Sequence, residues 1–264
     1  MLHLASRSAW AACAALLLVT SPAVAQTTAL LEDFEDATVA YTTSPAAAEF
    51  NDGDRDFFTR TDGSNISGAY SVSGFNGSFY FAAQDMDGDG EDEVQNLVFS
   101  GIDVAGLSSL QFTALFAEDD DGSNEDWDDT ASDDNYVRVY ASVDGGAEQL
   151  IFAIEGSSSG GSNGAPRVDD DLNGVGEGTE ITDTFASFSG SIGGTGSTLT
   201  LRIEMNLEDG DEDIAIDDVT VTGEGGAAIS LTTVVDRAAA VCSDPDDINT
   251  CDLSSSSASV SAAP

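Results

Sequence analysis

The residues that can do chemistry in this chain are carboxylates. Asp169-x-Asp171-x-Asn173-Gly174-x5-Glu180 fits the calcium-loop spacing D-x-[DN]-x-[DN]-G-x5-E at every specified position. In such a loop, oxygens at alternate positions curl around a hard cation, glycine permits the sharp turn, and the last glutamate can offer both oxygens. The flanks carry no helical period, so the pattern reads as a free-standing calcium loop and not as an EF-hand. A solvated acidic turn is the plainer alternative. Asp85-x-Asp87-x-Asp89-Gly90 opens in the same way, but its twelfth place is Asn96, with Glu91, Asp92 and Glu93 nearby to compensate. Glu118 to Asp129 holds eight carboxylates around Gly122 and Trp127 without a clean spacing. A fourth place lies in Glu212 to Gly223. There Ile214 and Ile216 alternate in one phase and Val219 and Val221 in the other, with the slip at Asp217–Asp218. A slip of one residue inside a strand is the mark of a β-bulge. Two carboxylates at a bulge repel each other unless water or a cation separates them.

Other chemistries are thinly supplied. The only histidine, His3, lies in the leader described below, which removes Ser-His-Asp catalysis and imidazole metal sites from the mature chain. There is no lysine, and the arginines at 55, 60, 138, 167, 202 and 237 are scattered, so direct binding of nucleic acid is not expected. Glu204-Met-Asn-Leu-Glu208 places two carboxylates on one strand face, as a glycosidase would need. Its spacing is one residue short of the laminarinase pattern and its middle residue is Asn206, so an ordinary outward face is the expectation. A sugar-stacking patch would need flat aromatic rings. The candidates are Tyr136 and Tyr140, which flank Arg138 on one exposed strand face, and Trp127. Cross-strand packing is the alternative reading of that patch.

The elements that must position these residues read as strands. Residues 1–25 form a secretion signal: Arg7 is its positive end, Ala11 to Val19 its apolar stretch, and Ala23-Val24-Ala25 its cleavage site. The apolar stretch is too short to span a membrane, and no later run is longer. A chain beginning at Gln26 sets six basic residues against 49 acidic ones, a formal charge of −43. Adaptation to saline surroundings can produce such acidity, but it leaves unexplained why Asp outnumbers Glu 34 to 15 and clusters with Gly. About eleven short strands follow, separated by turn signals, and they predict an all-β antiparallel sandwich over residues 26–224. The clearest are 29–36, 94–104, 110–117, 136–143, 149–154, 198–207 and 212–223, with shorter candidates at 57–60 and 181–188 and a hairpin over Gly74–Gly77 joining 69–72 to 78–83. Residues 225–264 are rich in Ala and Ser and read as a low-complexity tail in which Cys242 and Cys251 close one disulfide loop.

Three stretches together resemble secreted bacterial jelly-roll modules, relatives of the MAM, cleaved-adhesin and carbohydrate-binding sandwiches. They are Phe34-Glu35, Val139-Tyr-Ala-Ser-Val-Asp-Gly-Gly146, and Ile214-Ala-Ile-Asp-Asp-Val-Thr-Val221. Residues 29–223 look like the acidic module found near the N-terminus of extracellular nucleases and lamin-tail-domain proteins. The resemblance implies a structural calcium site where first and last strands meet, with Glu35, Asp217 and Asp218 as its ligands. It also implies a non-catalytic role. The expectation is a secreted, calcium-stabilised jelly roll that binds an extracellular polysaccharide or a cell-surface component; an accessory piece of a longer secreted hydrolase is the alternative.

Overall fold

The computed structural model describes residues 25–53, 55–66, 70–87, 92–119, 127, 129–130, 133–156, 164–225, 241–242 and 251–252. The predicted signal lies outside these residues apart from Ala25, as do Asp89 and much of the Glu118–Asp129 run. Among the described residues there are no helices. Two antiparallel sheets face each other. In the seven-stranded sheet β13 (Ala186–Ser191), β7 (Leu107–Ala117), β15 (Asp213–Gly225), β5 (Tyr80–Gln84), β4 (Phe57–Thr61) and β3 (Phe50–Asn51) follow in that order, and β1 (Gln26–Glu32) also pairs with β15. The six-stranded sheet runs β12 (Arg167–Val168), β11 (Gln149–Glu155), β10 (Tyr136–Val143), β14 (Thr198–Asn206), β6 (Val94–Asp103) and β2 (Tyr41–Ser44). A small pair, β8 (Asp129–Thr130) with β9 (Asp133–Asp134), stands apart.

The period-2 pattern explains why the sheets close on one core. Leu110, Phe112, Ala114 and Phe116 of β7 meet Leu199, Leu201, Ile203 and Met205 of β14 in one buried cluster. β15 is where the pattern changes phase. Its register against β7 shifts between Asp217 and Thr220, and Asp218 takes a φ of +49°. That bulge turns Ile214 and Ile216 on one side of it, and Val219 and Val221 on the other, into the same core. First and last strands pair side by side, from Gln26 opposite Glu224 to Glu32 opposite Val219.

Several expectations need correction. β2 and β3 are additional strands, short and flanked by Thr, Ser and Asn, and so without a hydrophobic signal of their own. Residues 70–73 are not a strand, and Gly74–Gly77 joins no hairpin; β5 pairs with β4 and β15 instead. Tyr70, Val72 and Phe75 pack over the outside of the seven-stranded sheet, against Phe57, Tyr80, Ala82 and Phe185. The strand expected at 181–188 is shifted to β13. In β11 a register shift opposite Val139–Tyr140 puts Ile151, rather than Leu150, in the core beside Phe152 and Ile154.

Residues Ala228–Pro264 form a separate unit. Within it β16 (Val241–Cys242) pairs with β17 (Cys251–Asp252), and the register sets Cys242 opposite Cys251.

Candidate functional site: acidic loops and an open sheet face

Strand register gathers the acidic loops at one end of the sandwich. β5 ends at Gln84, which lies opposite both Asp213, the start of β15, and Phe57, the start of β4. In the other sheet β14 ends at Asn206, opposite the starts of β10 at Tyr136 and β6 at Val94, while β11 ends at Glu155 opposite Tyr136. The loops leaving these ends carry Asp56, Asp85, Asp87, Asp134, Asp169, Asp171 and Glu208 to Glu212. The Met86 amide donates to the Leu207 carbonyl at 2.8 Å and ties the two sheets there.

The 169–180 loop is the one place among the described residues where three carboxylates can reach one ion. Asp169, Asp171 and Glu177 offer oxygens that lie within 4.8 Å of one another. Asp169 is 2% exposed, and its two oxygens accept the amides of Asn173 (3.1 Å) and Gly174 (2.7 Å). The other two acids are exposed. The loop is pinned to the sheet because the Asp169 amide donates to the Ala153 carbonyl. Glu180, the glutamate that the spacing singled out, instead bridges to Arg167 across a β-bridge and forms an ion pair with it. Glu177 takes its place in the cluster. Asn173 is exposed, and its amide, not its side chain, is what meets Asp169. Sequence spacing missed Glu177 because the loop closes as a β-connection and not between two helices.

Asp85 takes a φ of +45° with Asp56 and Asp87 against it. Burial first, then hydrogen bonding and repulsion from Asp56 and Asp87, push its carboxyl up to about 7. Asp56, which the sequence pattern does not include, immediately precedes β4.

The expected clasp of Glu35, Asp217 and Asp218 closes around a turn of backbone. Glu35 Oε1 accepts the amides of Ser78 (2.7 Å) and Phe79 (2.8 Å), and these hold its carboxyl below the usual range. Asp217 is fully buried; its oxygens accept the amides of Asn76 and Asp218, and the Asn76 side chain reaches Asp218. Burial outweighs those amides and, with the charges of Asp218 and Glu35, pushes Asp217 up to about 7. Gly77, at a φ of +72°, fits only because it lacks a Cβ, which would run into the Glu35 carboxylate.

The outer face of the six-stranded sheet carries the aromatic patch. Arg138 lies 3.7 Å over the Tyr136 ring and Arg202 lies 4.2 Å over the Tyr140 ring. Each guanidinium is held by acids: Arg138 by Glu155 in a two-pronged pair (2.7 and 2.9 Å) and by Asp134, Arg202 by Glu148 and Glu204. Glu155 is 1% exposed. Burial pushes it up to about 7 against the pull of Arg138, with Asp134 and Asp169 adding to the rise. Glu204 is thus engaged as an ion-pair partner. Two of the three aromatic candidates do not present open rings. Trp127 is buried in the core, and Tyr136 is nearly so, because β10 sets it between Glu155 and Asn206 in the neighbouring strands. Tyr140 and the two arginines remain partly exposed.

No family model matches the chain, and no curated protein matches it. Solved structures give distant likenesses. The CBM22-1 xylan-binding domain from Paenibacillus barcinonensis is 12% identical, with a TM-score of 0.38 over 78% of this chain and 100% of that one. The K3 cleaved adhesin domain of Lys-gingipain from Porphyromonas gingivalis is 19% identical, with a TM-score of 0.39 over 75% and 99%. A Clostridium thermocellum structure of the CBM22-1 and GH10 modules of an endo-1,4-beta-D-xylanase is 10% identical, with a TM-score of 0.41; the match takes in 75% of this chain and only 29% of that one.

Proposed function

We propose that this chain is a secreted, non-catalytic binding module whose acidic loops take calcium and whose six-stranded sheet takes an extracellular polysaccharide or cell-surface component on its outer face. The observation that carries the reading is the meeting of Asp169, Asp171 and Glu177 on a loop tied to β11. Hard-cation chemistry needs several oxygens in one small space, and the buried Asp169 with two exposed acids supplies them. Asp169, Asp171 and Glu177 would hold the ion, while the carboxylates of Glu35 and Asp217 are braced by backbone amides. The outer face supplies what a polyhydroxylated ligand needs: partly exposed Arg138, Tyr140, Arg202 and Glu204 in a row across β10 and β14. Calcium at the loop would lower the repulsion that Asp169 exerts on Glu155, the partner of Arg138.

A glycan array probed with the protein tests the reading. Binding in calcium that is lost with chelator, and weakened by Tyr140→Ala, is the expected result. Binding to no glycan with or without calcium contradicts the polysaccharide half of the proposal.

A further inference from the structure

A cleft of about 580 Å³ opens on the seven-stranded sheet, within the size range of small-ligand pockets. β15 leaves the acidic end at Asp213 and reaches the cleft only at Gly223 and Glu224. A bulge makes it. Two residues of β7, Ser109 and Leu110, stand opposite Gly223, because the register shifts between Thr222, opposite Gln111, and Glu224, opposite Ser108. Ser109 takes a φ of +50° there. Buried Leu110, Ile192 and Gly223 form the floor. Gln26, Ser109, Gln111, Ser191 and Glu224 form the walls.

The walls are mostly amides and hydroxyls. Gln26 Nε2 donates to Thr222 Oγ1 (3.0 Å), and Ser109 Oγ to Glu224 Oε2 (3.1 Å). Among the described residues none bonds the side chains of Gln111 and Ser191. Gln111 and Thr222 alternate with the core residues Phe112 and Val221, so they face outward. Cross-strand pairing extends the polar row: Ser191 lies opposite Gln111, Gln111 opposite Thr222, and Thr222 opposite Thr28. Four strands at roughly 4.8 Å spacing give that row a reach of roughly 14 Å. Ser189, Thr113 and Thr220 form a second row beside it.

Glu224 is the one charge in the cleft, in a chain whose formal net charge is −42. No arginine lines it to hold an anion, and no aromatic ring lines it to stack a sugar. Hydroxyls and amides both donate and accept, which suits an uncharged ligand rich in hydroxyls. A second copy of the chain is the poorer fit. Interfaces between copies are apolar at their centre, whereas Leu31, opposite Thr220, is the one exposed large apolar residue on this face among the described residues. Both copies would also carry the same large negative charge.

We propose that this cleft and the row beside it bind a neutral saccharide through hydrogen bonds alone, as a second and weaker glycan site that needs neither the Asp169 loop nor Tyr140. A site without a stacking ring releases its ligand from a washed surface, so it is read in solution. Xylohexaose, cellohexaose and laminarihexaose, each at millimolar concentration, are added to the isotope-labelled full chain and amide resonances are followed. At least one should shift the side-chain amides of Gln26 and Gln111 and the backbone amide of Ser191, with calcium or with chelator, and in Tyr140→Ala. Gln111→Ala combined with Ser191→Ala, at positions that are partly or fully exposed, should weaken the response at Gln26 at least about fivefold, as the loss of two neutral hydrogen bonds implies. No shift at these positions from any of the three sugars, an unweakened response in the combined variant, or an equal response to hexagalacturonate would overturn the proposal. So would a dimer in sedimentation that the combined variant dissociates. Shifts here with none around Tyr140 would sink the reading of the six-stranded face and leave this one standing; shifts around Tyr140 alone would do the reverse.

Discussion

At the scale of single residues, buried charge decides most of the behaviour. Arg138 and Glu155 form a close pair in which Glu155 is almost wholly buried. Removing one partner of such a pair leaves the other desolvated and alone. Arg138→Leu should therefore destabilise the domain by about 3 kcal/mol in urea unfolding, and Glu155→Gln by less, since the arginine keeps Asp134. The reverse order would mean that Asp134 does not compensate Arg138 for the loss of its buried partner. Gly77 is a different case. Its positive φ and the missing room for a Cβ predict a loss of ~1–2 kcal/mol in Gly77→Ala. Glu35 would have to release the amides of Ser78 and Phe79, which a melting curve of the variant reads directly. Sequence spacing found Asp169 and Asp171 because hard-cation ligands alternate. It could not find Glu177 or Asp56, which reach their clusters through tertiary closure and not through spacing.

At the scale of elements, β15 carries the most information. The change of phase at Asp217–Asp218 was legible because isoleucine and valine keep period 2 on either side of it. The bulge follows from that alternation together with the need for one buried face. Deleting Asp218 should remove the extra residue and leave Ile214, Ile216, Val219 and Val221 in one unbroken alternation, so both valines stay in the core. The deletion variant is expected to fold cooperatively in circular dichroism, losing only the bonds that Asp218 makes with Asp217 and Asn76. A deletion variant that does not fold would show that the bulge itself, and not only the phase it accommodates, is needed. β2 and β3 were illegible for a physical reason. They are edge strands of four and two residues whose pairing partners, β6 and β4, supply the hydrophobic pattern. The 69–83 stretch reads as a hairpin in the sequence because Gly74 and Gly77 are turn residues in either arrangement. What separates the two arrangements is the cover that Tyr70 and Phe75 give to the outside of the seven-stranded sheet, a contact between distant parts of the chain.

At the scale of the whole molecule, the fold turns a diffuse acidity into a directed one. Register brings the loops after β5, β7, β11 and β14 to one end, so carboxylates scattered through the sequence meet there. Glu212 sits up at about 8 and Glu155, Asp85 and Asp217 at about 7, each through burial first. Carboxyls with raised folded values hold protons that the unfolded chain has released. Stability should thus fall as pH rises from about 5 to 8 when no divalent cation is present. Calcium replaces protons as the source of positive charge, so it should flatten that slope; melting midpoints across this range with chelator and with calcium check the sign. A rise in stability with pH in chelator would mean that these carboxylates are paired more strongly than burial opposes them. The most direct test of calcium as a structural ligand is the melting midpoint at neutral pH. At about a hundred times its dissociation constant, calcium bound to one site adds roughly 2.7 kcal/mol. For a domain of this size that is a rise of roughly 5–10 °C, reversed by chelator and reduced in Asp171→Asn. A midpoint that does not move between calcium and chelator would contradict the account.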